Sequence, residues 1–520
     1  MKKINKYTYT FLLMATVCLS ACKNNLEEIT KLEVDRVFSS PGLTATIVNK
    51  TGIKLTWNAV PNASSYTIEV FDNADFTGTP VKSITSITAA QLPYTVTGLI
   101  GDTQYAIRVK GVTPGIADSK WVSTSAKTDT EQIFQTVNQT KLTAGSVVLN
   151  WTPGETATTI TILPGNITHT VTAAEIAAGE ATITGLTGET DYSAKLLAGT
   201  KVRGTATFTT LYNFTGATMV SPTDNLATLI ANATAGTVFG LAPGTYTVNA
   251  DVIASKSITI RGTKPNDRPI INGMVLRLKA NAGLTVKDVV LDGTGSLNGN
   301  QAFIYDEASD NPYGNFVLEN SVVRNYTKGL FYVNIKALIE SVTFKGNIIN
   351  NIECNGGDFI DFRSGLAKTL NFNNNTVYAS VLARDFIRMD PAGSTNFPTQ
   401  TAIITVATNT LNGISNGASN RLFYVRLAKH EIYFLKNIVA NSGGILTNQL
   451  STNIVAANFT ANNYFAAPTF ISGSATAGAK YDAGTFTTLN PGFSSPATGN
   501  FTITQQDLKT NGIGDPRWRN

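Results

Sequence analysis

The chain has 520 residues, too many for one ordinary domain and enough for two or three. Only 14% of them are charged and Gly occurs 43 times, a composition of extended β architecture with many turns. The formal charge of +5 includes Lys2, Lys3 and Lys6 in an acid-free leader, leaving a mild +2 that gives no reason to invoke nucleic acid.

Taken in order, the chain begins with Lys2 and Lys3, an apolar run from Phe11 to Leu19, and the tetrad Leu19-Ser-Ala-Cys22. The apolar run is too short to span a bilayer permanently, so residues 1–21 read as an export signal and residues 22–36 as a tether. The tetrad resembles the bacterial lipobox, whose Cys becomes the lipidated first residue. That resemblance implies an acylated Cys22, held far more firmly than by one acyl chain. Lys23 in place of Asp means that an inner-membrane retention signal is absent, and the run Lys23-Asn-Asn-Leu-Glu-Glu28 partly resembles the surface-export signal of Bacteroidota lipoproteins. The implied address is the outer membrane, lipid-anchored and facing the cell exterior. With Cys18 in the leader and Cys22 lipidated, Cys354 is the remaining thiol, so the mature chain forms no internal disulfide. A nucleophilic role for Cys354 needs a base, and the chain has only His169 and His430, so Cys354 reads as a small core residue.

Residues 37–129 alternate at period two, as in Ile53-Lys-Leu55-Thr-Trp57 and Tyr66-Thr-Ile68-Glu-Val70, with turn signals about every 8–12 residues, as in a seven-strand sandwich. A strand Trp, followed by Leu99 and, six residues on, by Tyr105, resembles a fibronectin type III domain with Tyr105 as its corner tyrosine. Residues 131–211 repeat the pattern around Trp151, Leu186 and Tyr192, without a clear Tyr-x-Ile-x-Val strand, as a short fibronectin type III-like domain or a related sandwich. Trp57 and Trp151 fit core positions; Trp121 is loop-like, with nothing evident gathered around it. Such modules imply spacers.

From residue 220 to 520 the organisation changes. Ser221-Pro-Thr-Asp224 reads as a helix start, with Leu226, Leu229 and Ile230 on one face to cover a first coil. Beyond it one short pattern returns seven times, placing Asp288, Asn320, Ser341, Asn375, Asn409, Asn437 and Asn463 in one polar column. Units recurring at such periods bury a core only when stacked, and their β-branched, aromatic flanks alternate like strands. An antiparallel sandwich would not need this repeat. Asn suits a left-handed corner and its amide can bond copies above and below. A second strand per coil superposes Phe331, Phe359, Phe386 and Phe423 as an internal ladder. The expected fold class is therefore all-β: two fibronectin type III-like sandwiches followed by a right-handed parallel β-helix.

The β-helix segment resembles the pectin-lyase-like fold. The whole arrangement, ending in Gly514-Asp-Pro-Arg-Trp518, resembles Bacteroidota surface lipoproteins associated with polysaccharide utilisation. The resemblance implies a polysaccharide as partner, the outer membrane as anchor, and a glycan transporter complex as a further partner. Between Asp361 and Lys436 eight Lys or Arg stand against four acids, a modest basic patch suited to an anionic glycan. The binding candidates are Asp361, Arg363, Arg384, Arg388 and Arg426; Lys368, Asp390 and Arg421 lie on the same coils. Coils about 4.8 Å apart bring equivalent side chains within reach of one sugar. The competing expectation is that these Arg and Asp simply pair with each other. No catalytic residue is assigned, and with no Cys/His cluster neither metal nor cofactor is expected. The leading expectation is a non-catalytic surface protein that binds a uronate-rich polysaccharide. The alternatives are a polysaccharide lyase working by β-elimination, with calcium a cofactor in that case, and a structural or adhesin-like stalk.

Overall fold

The computed structural model describes residues 34–297 and 300–520. The export signal, the lipobox with Cys22 and the Lys23–Glu28 run lie outside the described residues. The chain divides into two units, Met1–Asn213 and Phe214–Asn520.

In the first unit, alternation buries Ile53, Leu55 and Trp57 while Lys54 and Thr56 face solvent. Strands Thr44–Val48, Gly52–Thr56 and Tyr94–Val96 form one sheet; Lys82–Ile87, Ser65–Phe71, Gln104–Val112 and Val122–Lys127 form the other. Trp57 meets Tyr66 edge-on at 5.4 Å inside the sandwich. The Tyr105 hydroxyl accepts a hydrogen bond from the Ile100 amide at 3.0 Å, the expected tyrosine corner. The second sandwich repeats that corner: the Thr187 amide donates to the Tyr192 hydroxyl at 2.9 Å, again five residues upstream. Its strands are fewer. Ser146–Asn150 pairs with Glu180–Thr184, facing the sheet of Ile167–Thr170, Thr159–Leu163, Asp191–Ala198 and Lys201–Thr209. Thr159–Leu163 is the strand that lacks a Tyr-x-Ile-x-Val signature. A short helix, Ala173–Ala178, is fixed by the reciprocal capping of Thr172 and Glu175. Trp121, expected to stand apart, does not: Arg108 and Lys110 lie 4.5 and 5.0 Å from its ring, and Arg108 also covers Phe71 and Phe76.

The second unit is a parallel β-helix with three faces. The first is a ten-stranded sheet running from Thr218–Val220 to Phe459–Thr460. The second contains Val290–Asp292, Val322–Arg324, Ile348–Asn350, Thr376–Tyr378, Thr410–Asn412 and Ile438–Ala440. The third contains Phe303–Tyr305, Phe331–Val333, Ile360–Phe362, Ile387–Met389 and Phe423–Val425. The long strand Ile270–Leu278 joins the latter two, pairing at one end with Val290–Asp292 and at the other with Phe303–Tyr305. Helix Leu226–Ala231 places Leu226 and Ile230 in the core beside the first coils; its cap is Asn225, not Ser221.

The polar column exists: Asn375, Asn409 and Asn437 stand in it as expected, and its other expected members are displaced. At the corner between the first and second faces, Asp288, Asn320, Gly346, Asn374, Thr408, Lys436 and Ala461 have positive φ. The residue after each points inward, and Asn347, Asn375, Asn409, Asn437 and Asn462 form a continuous ladder there. Each Asn Oδ1 accepts from the backbone amide of the equivalent residue one coil earlier, Ser321 for Asn347 and an Asn for the others, at 2.8–3.0 Å. Each Nδ2 donates to a carbonyl of an earlier coil, such as Phe344 for Asn375 and Phe372 for Asn409. Asp288 and Asn320 therefore belong to the left-handed column, Ser341 lies inside a strand of the first face, and Asn462 takes the place expected for Asn463. The Phe ladder is likewise internal but split. Phe331 and Phe423 share a column with Ile360 and Ile387, whereas Phe359 and Phe386 stack face to face at 4.9 Å one residue earlier.

The carboxyl-terminal residues fold back over the second face. The Gly514 amide donates to Lys436 O, the Asp515 amide to Thr410 Oγ1, and Thr376 Oγ1 to Asp515 Oδ2. Trp518 Nε1 donates to Thr376 Oγ1 at 2.7 Å, and Arg517 Nη2 reaches Gly346 O at 2.6 Å. The terminal pentad thus clasps four successive coils.

Candidate functional site

On the third face, strand alternation turns one column of side chains outward: Tyr332, Asp361, Arg388 and Tyr424, in direct register on successive coils. The residue following each of these short strands supplies a second column, Asn334, Arg363, Asp390 and Arg426. A third arises where the chain enters the face, at Asp358, Asp385 and Arg421, tied in order by the Phe359 amide to Asp385 O and the Phe386 amide to Arg421 O. Three columns on adjacent coils place four acids and four guanidinia in one patch.

The pairing is dense. Arg363 forks onto Asp361 at 2.6 and 2.9 Å and reaches Asp358 at 3.2 Å. Arg388 forks onto Asp390 with both bonds at 3.0 Å and extends to Asp358 at 3.4 Å. Arg426 donates to Asp390 at 2.8 Å; Arg421 grips both oxygens of Asp385 at 3.2 and 3.0 Å. The charges are layered: the carboxylates are between 0% and 14% exposed, the guanidinium side chains between 20% and 30%. The acids form a buried floor, and the solvent meets cations.

Burial pushes the carboxyls of Asp358, Asp361 and Asp385 above the usual range, against the pull of the neighbouring guanidinia. Asp390 is buried too, but the bonds from Arg388 and Arg426 win and hold it below that range. Arg363 and Arg388 are raised; burial opposes this, and their Asp partners outweigh it. These guanidinia are therefore firmly cationic and suited to gripping an anion, not to taking up a proton.

Two of the expected residues fall elsewhere. Arg384 is exposed in the connection before the third face and joins none of these pairs. Lys368 lies on the first face, bonded to Glu340. Conversely, Tyr424 is central, and the repeat pattern alone does not bring it out. The guanidinium carbons of Arg388, Arg421 and Arg426 lie 4.8, 4.6 and 4.7 Å from its ring centre. Superposing Phe423 on Phe386 hides it, because the true partner of Phe423 is Ile387, and a slip of one residue exchanges inward and outward positions. The histidines are not part of the patch: His169 bonds Glu175 in the second sandwich, and His430 is held by Leu427 O and the Asn453 amide. Among the described residues, no three His, Cys, Asp or Glu side chains are grouped to hold a metal ion.

Residues 244–380 match the family described as Domain of unknown function (DUF4957). Residues 404–518 match Domain of unknown function (DUF5123). No curated protein matches the chain. Among solved structures, a two-domain fibronectin type III segment of chicken tenascin is 17% identical, with 33% of this chain and 97% of that one covered and a TM-score of 0.23. The central fibronectin III array of RIM-binding protein is 22% identical, covering 35% of this chain and 64% of that one, at a TM-score of 0.15. A mutant of the PL6-family alginate lyase AlyGC is 17% identical at a TM-score of 0.35, covering 47% of this chain and 39% of the lyase. These chains are all-β neighbours, of the sandwich kind and of the β-helix kind, and nothing about activity follows from likeness at this level.

Proposed function

We propose that the protein is a cell-surface polysaccharide-binding lipoprotein of a glycan-utilisation system, and that the third face of its β-helix holds an anionic, uronate-rich chain. The observation that carries this reading is the layering of charge around Arg363, Arg388, Arg421 and Arg426, with buried carboxylates fixing guanidinia whose outer edges face solvent. Guanidinium forks held in place in advance match the geometry of a carboxylate and lose little freedom on binding it. Tyr332 and Tyr424 bracket the patch three coils apart, about 14 Å at the usual strand spacing, so an extended chain can run from one to the other. Binding fits better than β-elimination, which needs a base free to take a proton; these guanidinia are each committed to a carboxylate. In this reading Cys22 anchors the chain to the outer membrane, the sandwiches are spacers, and captured glycan passes to a transporter complex.

Arg363→Ala and Arg388→Ala are each expected to weaken retardation in gels containing polygalacturonate or alginate by about 10-fold or more, the loss of a charge-assisted fork. Retardation unchanged in both variants would remove the third face from the reading. Cys22→Ala is expected to move the protein from the membrane to the soluble fraction on cell fractionation. Persistence in the membrane fraction would refute the lipid anchor.

A further inference from the structure

The patch is balanced overall but not evenly, and the imbalance assigns places to the parts of a ligand. At one end Asp358 and Asp361 share Arg363, two acids to one cation. At the other, three guanidinia surround the Tyr424 ring, against Asp385 and Asp390. Asp358 touches that end through a 3.4 Å bond from Arg388 and by accepting from the Asp385 amide at 3.2 Å. A surplus of positive charge is therefore concentrated at Tyr424. Donors are also unspent there. Arg426 spends Nη2 on Asp390, which leaves Nη1 over. Arg421 spends Nε on Asn448 and Nη1 on Asp385, which leaves Nη2 over.

We propose that Tyr424, with Arg421 and Arg426, forms a subsite for a single carboxylate of the bound chain. The subsite rests on the polysaccharide reading above and makes it more specific: the ligand carries a uronic acid, and its acid group has one defined seat. A planar carboxylate can accept from two guanidinium edges at once, whereas a neutral hydroxyl would leave the surplus charge uncompensated.

The test is a ligand-observed NMR titration of the full mature chain with galacturonate, galactose and inorganic sulfate. Galacturonate is expected to bind and galactose not, with sulfate weaker than galacturonate. Arg421→Lys, which keeps the charge opposite Asp385 but loses the fork, and Tyr424→Ala should each lower galacturonate affinity about 10-fold or more. Lys368→Ala should leave it within about 3-fold, because that residue lies on the first face, bonded to Glu340. Galacturonate binding unaltered in both Arg421→Lys and Tyr424→Ala overturns the subsite, as does sulfate binding equal to that of galacturonate. Polygalacturonate bound by the wild type with no galacturonate binding also overturns it, yet leaves the polysaccharide reading standing. Galacturonate bound at Tyr424 without any binding of uronate polymers supports the subsite and refutes the polysaccharide reading.

Discussion

Asn409→Leu is expected to destabilise the β-helix by about 2–6 kcal/mol. Asn409 is fully buried, and its side chain satisfies two backbone groups that have no water to turn to: its Oδ1 accepts from the Asn375 amide at 2.8 Å, and its Nδ2 donates to Phe372 O at 2.7 Å. Leucine is close in size but neither accepts nor donates. Each buried group left unpaired costs roughly 1–3 kcal/mol, and two are lost together. Asn375→Leu removes the equivalent bonds to the Asn347 amide and Phe344 O and should cost a similar amount. The measurement is denaturant unfolding, where the midpoint should fall while the slope stays the same. An unchanged midpoint in both variants would mean that the ladder contributes nothing to holding the coils together.

The second large effect is expected at the carboxyl terminus. Asp515 is 1% exposed; it accepts from Thr376 Oγ1 at 2.7 Å and from Arg517 at both the backbone amide and Nη1. Asp515→Ala strips these bonds and unseats the clasp of Trp518 and Arg517 on Thr376 and Gly346. Breaking a buried ion pair from one side costs about 3–5 kcal/mol, and the partial exposure of Arg517 places this case toward the lower end. Hydrogen exchange should show faster opening of strands Thr376–Tyr378 and Thr410–Asn412, which the clasp covers, before the third face opens. Exchange at those strands identical to wild type would mean that the pentad has no structural role.

Much of this architecture is visible in the sequence because the signals are local. The alternation around Trp57 and Tyr105, and the seven returns of a polar corner, depend only on residue type and spacing. Register was harder to read. The left-handed residue and the inward Asn are neighbours, and Asn occurs in both columns, as in Asn374-Asn375. A polar residue in a repeat therefore does not say which of the two positions it holds. Ser341 was misplaced because its coil carries Gly346-Asn347 at the corner, five residues later than the Ser suggests. The same one-residue uncertainty concealed Tyr424 at the centre of the patch. The guanidinium cluster itself was half legible. Arg363, Arg388 and Arg426 stand on consecutive coils in the sequence, but which acids lie beneath them is fixed by long-range register alone.

Calorimetry of the mature chain with polygalacturonate and with its fully methyl-esterified form tests most directly whether the third face holds an anionic polysaccharide. The two polymers share a backbone and differ in the charge that the guanidinia of Arg363, Arg388, Arg421 and Arg426 would meet. The acid form is expected to bind and the ester not. Binding of the acid should weaken as salt rises, since exposed charges are screened beyond about 8 Å at physiological ionic strength. No unsaturated, ultraviolet-absorbing product should accumulate on long incubation. Equal binding of both polymers, or of neither, would contradict the proposed site, and steady release of unsaturated product would make the protein a lyase instead.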